Sequence, residues 1–233
     1  MKSFLIGNLL FLFTISFAVA QEKPSLEAES FFNNAMSQIN RRHVNWVKTS
    51  AATLNQKKMS DADAQKMAST YGLKNNLSNS DIEALAFLVL MEAHKSAQED
   101  LKAIMAKVKA INKQKQSLRD MQSKLQRQDA KNVVHLDSIT LLSMKTSAIQ
   151  KGQNPENVKL VRSATSREEP TKAQIDAMKD KLKKDLDSMS EMGEMESLRL
   201  QMAMDRMSKM MSTISNLLKK ISDTANTITQ NLK

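Results

Sequence analysis

Cysteine is absent from this chain of 233 residues, which excludes disulfides, thiolate zinc sites and cysteine-anchored lipids. Glycine and proline are scarce, at four and three residues, and neither occurs between Gly72 and Gly152. A stretch that long without a helix breaker reads as extended helix rather than as a succession of turns. Aromatic residues make up only 4% of the chain, too few for a basic surface interleaved with stacking rings, so nucleic acid is not expected as a partner. Beyond residue 20 no apolar run is long enough to cross a bilayer. Catalytic signatures are missing too. There is no H-E-x-x-H, Ser-x-x-Lys, G-x-S-x-G or glycine-rich phosphate loop, and His43, His94 and His135 are scattered. The expectation is a non-enzymatic protein with no cofactor.

The first twenty residues read as a leader. Lys2 is followed by an apolar run from Phe4 to Phe17 and by Ala18-Val19-Ala20, small residues where a signal peptidase needs them. Residues 1–20 are therefore expected to be a cleaved signal peptide, the mature chain starting at Gln21. The expected location is periplasmic or secreted, with no transmembrane span after cleavage. An exported chain without disulfides relies on packing alone.

Two apolar seams dominate what is present. Phe87, Leu90, Ala97, Leu101, Ile104, Val108, Ile111, Leu118 and Leu125 recur in steps of three and four, with His94, Lys115 and Gln122 as polar members of the same stripe. The second seam runs through Leu200, Ala203, Met207, Met210, Ile214, Leu217, Ile221 and Ile228. A repeat of 3.5 keeps one stripe against a partner helix. The expected fold is all-α, an elongated antiparallel coiled-coil hairpin of two long helices with a small N-terminal helical head.

Local signals set the boundaries. Residues 21–79 are expected as short helices forming the head, with Val44, Val47, Ala51 and Leu54 on one face. Ser60 before Asp61 and Asp63 predicts a helix start there, with Gly72 as its end. Ser80 and Glu83 predict a capping box and a first long helix over 80–130, buried along residues 82–91 where it is apolar nearly all round. Residues 131–170 are expected as an irregular connector, with residues 133–142 open as a strand pair or a weak helix. Thr171 and Gln174 form a second capping box, opening a long Met-rich helix over 171–233 with a bend at Gly193.

Charge is unevenly placed. The net charge is +10, which suggests attraction to anionic envelope surfaces. Residues 101–131 hold nine Lys or Arg and two Asp, whereas residues 185–205 hold six acidic residues and only Arg199. Pairing Leu125 with Ile175 brings the basic segment 102–115 against the acidic segment 185–196. That pattern favours an antiparallel arrangement.

Methionine carries the sharpest chemical signal. Met189, Met192 and Met195 follow M-x-x-M-x-x-M, and in spacing this short run resembles the methionine motifs of extracytoplasmic copper-handling proteins. The resemblance implies Cu(I) ligation by thioethers, which are soft donors. Packing is the competing role, because methionine also fills irregular cores. Around residues 195–211 the last helix is apolar on two sides, so Leu198, Met202, Met207, Met210 and Met211 form a candidate interaction surface. The basic charge, size and long arms resemble the Skp family of periplasmic chaperones, which implies gripping of unfolded clients and a body containing strands, for which residues 131–142 are the available segment. The polar residues 212–233 resemble the coiled-coil ends of secreted filament subunits. The reading that unites these features is a structural or assembly component of a bacterial envelope or surface apparatus, acting through helical association with itself or a protein partner.

Overall fold

The computed structural model describes residues 24–127, 136–159 and 171–231, and every regular element among them is helical. The expected leader and Val133, Val134 and His135 lie outside the described residues. Three short helices come first: α1 (Leu26–Gln38), α2 (Arg41–Gln56) and α3 (Asp61–Lys74). Each starts on a polar cap. Ser25 Oγ accepts from Ala28 N–H at 3.1 Å, and Asn40 Oδ1 accepts from Arg42 N–H at 2.9 Å. Ser60 and Asp63 bond reciprocally, and the Ser60 donors hold the Asp63 carboxyl below its usual pKa.

These helices pack on the start of α4 (Asn79–Arg127), where all seven residues of 85–91 are buried, as the all-round apolar pattern predicts. Val47, Ala51 and Leu54 of α2 and Ala64 and Ala68 of α3 meet them in one core. Each large apolar side chain buried there stabilises the head by about 1.5–3 kcal/mol relative to exposure. The aromatics gather here as well. Phe31 meets Phe87 edge-on at 5.1 Å between ring centres, Trp46 stacks on Tyr71 at 4.2 Å, and Lys95 sits 4.0 Å over the Phe32 ring.

Two local expectations are corrected. The cap of α4 is Ser78 with Asp81, not Ser80 with Glu83: Asp81 Oδ2 accepts from Ser78 N–H at 3.2 Å and Ser78 Oγ from Asp81 N–H at 3.2 Å. Glu83 instead pairs with Lys220 at 2.5 Å. Gly72 does not end α3, which continues to Lys74. It is buried where α3 crosses α4, and a Cβ there would overlap the Ile82 side chain.

The long helices α4 and α6 (Lys172–Asn231) pack against each other over 49 and 60 residues, about 74 Å and 90 Å of helix. Position numbers climb along α4 as they fall along α6: Glu83 meets Lys220, Lys107 meets Glu196, and Ile111 lies beside Gly193. The register differs from the sequence-based pairing by roughly one turn, since Met178 rather than Ile175 joins the cluster containing Leu125. Thr171 N–H donates to Gln174 Oε1 at 2.8 Å and Gln174 N–H to Thr171 Oγ1 at 3.3 Å, the expected capping box. No break occurs at Gly193, whose missing Cβ leaves room for Ile111.

The connector is the largest difference. Among the described residues of the expected irregular connector, 136–159, α5 (Leu136–Gln150) forms a third helix beside α4 and α6, followed by a 3₁₀ turn, Pro155–Asn157. Its Ile139 and Ile149 are buried against Ile111, Leu118, Leu125, Leu182 and Met189. Gln114 of α4 donates to Leu142 O at 2.7 Å and Thr146 Oγ1 at 3.0 Å, tying α5 to the rod. Tertiary burial thus overrides the weak local propensity of the segment. Residues 136–142 are helical, so the strands that the Skp resemblance implies are absent among the described residues.

Gly72→Ala should lower the melting temperature, because overpacking against Ile82 costs about 1–3 kcal/mol and outweighs a helix-propensity gain of up to about 1 kcal/mol. In a thermal-denaturation double-mutant cycle the same change should cost less on an Ile82→Ala background. Equal costs on both backgrounds would place the strain elsewhere.

Candidate interaction surface

Along its length the α4–α6 pair is covered unequally. At one end the head joins Met210, Met211, Ile214 and Leu217 of α6 in a common core. At the other, α5 adds a third layer over Ile111 to Leu125. Between them the cluster of Leu101, Ile104, Leu200 and Met207, flanked by Ala97, Val108, Ala203 and Met204, draws on α4 and α6 alone. This stretch is a two-helix waist.

The waist is where large apolar side chains of the rod reach solvent. Met195, Leu198 and Met202 stand 65%, 60% and 58% exposed at i, i+3 and i+7 on α6. A helix turns about 100° per residue, so Leu198, two positions before the buried Leu200, points away from α4. Met105 of α4 is 37% exposed, one position past the buried Ile104. Exposed Glu191 and Glu194 precede the α6 stripe and exposed Asp205 follows it. Across the seam Lys107 Nζ donates to Glu196 Oε1 at 2.5 Å, so the basic and acidic segments do meet, through this buried carboxylate.

The sequence-based candidates divide. Leu198 and Met202 are exposed as expected, and Met195, considered there as a ligand, belongs with them. Met207, Met210 and Met211 are buried and are not available as an interaction surface. The head supplies the cover that the pattern alone left open. Arg206 donates to Leu54 O at 2.8 Å, capping the carbonyl end of α2, and Thr213 Oγ1 donates to Asp61 Oδ2 at 2.7 Å at the start of α3. These anchors lie about 150 residues from their partners in sequence, beyond any local signal.

The three methionines of the M-x-x-M-x-x-M run spiral away from the seam. Met189 is buried in the core with α5, Met192 packs partly against that core, and Met195 is open to solvent. Among the described residues no group of three or more His, Cys, Asp or Glu is placed to hold a metal ion, and no helix is long and apolar enough to cross a membrane.

His94 is fully buried in the α4 seam, and both ring nitrogens lack a hydrogen-bond partner. Burial pushes its pKa below the ordinary value of 6.5. Comparison of the chain with protein-family models, with curated proteins and with solved structures finds no match.

Two measurements follow from this geometry. The folded protein resists protonating His94, whereas the unfolded chain accepts the proton near the ordinary value. Stability from this group is therefore complete above about pH 6.5 and is lost as the pH falls below it. Urea denaturation between about pH 8 and about pH 5 should show the native chain losing more stability than His94→Leu; parallel losses would assign the acid sensitivity to other groups. For Cu(I), changing Met189, Met192 and Met195 together to leucine should leave affinity unchanged in competition with a chelator, because the three sulfurs do not share one open face. A clear fall in affinity would restore the ligand reading.

Proposed function

We propose that this protein is an exported, non-enzymatic component of a bacterial envelope or surface apparatus that works by helical association. In this reading α4 and α6 form an antiparallel coiled-coil hairpin, the head and α5 brace its ends, and the waist engages a protein partner. One observation carries it: Met195, Leu198 and Met202 form an exposed apolar stripe beside the one core cluster, among the described residues, that draws on α4 and α6 alone, with the turn between α2 and α3 bordering the stripe only at its Met202 end. A helical pair with one uncovered level and apolar side chains at that level has the form of an incomplete bundle, and a partner that buries the stripe completes it. The acidic residues around the stripe give the contact a charge preference.

Changing Met195, Leu198 and Met202 together to glutamine tests this. Glutamine is a good helix former and the three side chains are exposed, so circular dichroism and melting should hardly change. Association, with itself or with a partner captured through a photo-crosslinking residue at position 198 in the producing cell, should weaken about tenfold or more. A variant that keeps both its fold and its associations refutes the waist as an interaction surface.

A further inference from the structure

We propose that the waist binds a second copy of this chain, the α6 stripe of one copy seating on the α4 face that carries Lys102, Met105 and Lys109 in the next. The proposal rests on the waist being an association surface and names its occupant. The two faces match in spacing and in chemistry. Lys102, Met105 and Lys109 stand at i, i+3 and i+7, the same intervals as Met195, Leu198 and Met202, and all six are exposed. The α4 face puts a lysine at each end of an apolar side chain. The α6 face puts carboxylates, Glu191 and Glu194 at one end and Asp205 at the other, around apolar ones, with exposed Arg199 at the edge of the stripe and Lys58 of the head lining the groove beside Met202 and Asp205. Laid side by side in either direction, Met105 meets Leu198 and each lysine approaches an acidic end.

These charges are free to do so. Among the described residues no ion pair engages Lys109, Glu191, Glu194 or Asp205, and Lys102 holds only its surface neighbour Glu99. Pairing like with like is disfavoured, since α6 against α6 opposes carboxylates and α4 against α4 opposes lysines. The faces are also separate surfaces of one molecule. Lys102, Met105 and Lys109 each lie one position, about 100°, past the seam residues Leu101, Ile104 and Val108, while Leu198 points away from α4. A contact between two different surfaces is heterologous, so each added copy leaves one face of each kind open and the assembly propagates.

Sedimentation velocity on the purified full chain tests this through charge reversal. The native chain should show an average mass that climbs with concentration and falls back with added salt. Lys102→Glu with Lys109→Glu should hold it at the monomer, as should Glu191→Lys with Glu194→Lys and Asp205→Lys, each with unchanged helix content by circular dichroism. The chain carrying all five changes should regain assembly, because the complementarity is then restored at both ends with its sign exchanged. A native chain that stays monomeric overturns the proposal. So does association that is lost in the Met195, Leu198 and Met202 glutamine variant but survives the lysine reversal; that outcome keeps the waist as an interaction surface and gives it another partner. Loss in neither variant removes both readings.

Discussion

Two helices of 49 and 60 residues that share one seam bury only a strip of each other. Any apolar side chain off that strip needs a third element over it or remains in water. The head meets this need at one end and α5 at the other, and each does so with its own core. The waist core is the smallest of the three, and Met105, Met195, Leu198 and Met202 are the apolar residues left over there. The distribution of cover along a single long contact therefore decides both where the fold is braced and where it is open.

Polar groups within the interface set its alignment. An apolar seam built on a repeat tolerates a slip of one repeat, because similar side chains return to similar holes. Lys107 with Glu196 does not tolerate it, since a slip leaves a buried charge without its partner, and Gln114 with Thr146 fixes α5 against α4 in the same way. Glu83 with Lys220 repeats the constraint at the head, at a more exposed site where the pair contributes less. His94 acts differently. Its ring is buried without a hydrogen bond, so it stabilises the seam only as a neutral group and weakens it when protonated.

Much of this architecture was legible because it rests on periodicity. The alternating steps from Leu101 to Leu125 and from Leu200 to Leu217 identified both long helices and their buried faces, and the all-round apolar residues 85–91 identified the helix beneath the head. Caps were legible where the motif stood alone, as at Ser60 and Thr171. At the start of α4 two serines, Ser78 and Ser80, and several acids compete as signals, and the structure selects Ser78 with Asp81, leaving Glu83 to pair with Lys220. What the sequence concealed was tertiary. Nothing local shows that Arg206 caps α2 or that α5 lies along Gln114, and so the cover over Met210 and Met211 was missed. The exposed stripe was half legible: Leu198 and Met202 were recognised as off-seam, while Met195 was hidden inside a motif that suggests a ligand.

The division of side-chain types along the molecule supports the same functional reading. Phe31, Phe32, Trp46, Tyr71 and Phe87 all lie in the head, where paired rings of defined geometry fix one arrangement. The waist has no aromatic residue and uses methionine and leucine. Methionine has three rotatable side-chain bonds and a polarizable sulfur, so it fits surfaces that do not match it closely. Rigid rings where the chain packs on itself, and adaptable thioethers where it faces outward, place conformational definition in the core and tolerance at the contact. Tolerance alone gives little selectivity, since an apolar stripe accepts many apolar partners. In the proposed contact, the carboxylates at both ends of the stripe supply what methionine lacks: they disfavour acidic partners and favour surfaces that carry basic residues around an apolar centre.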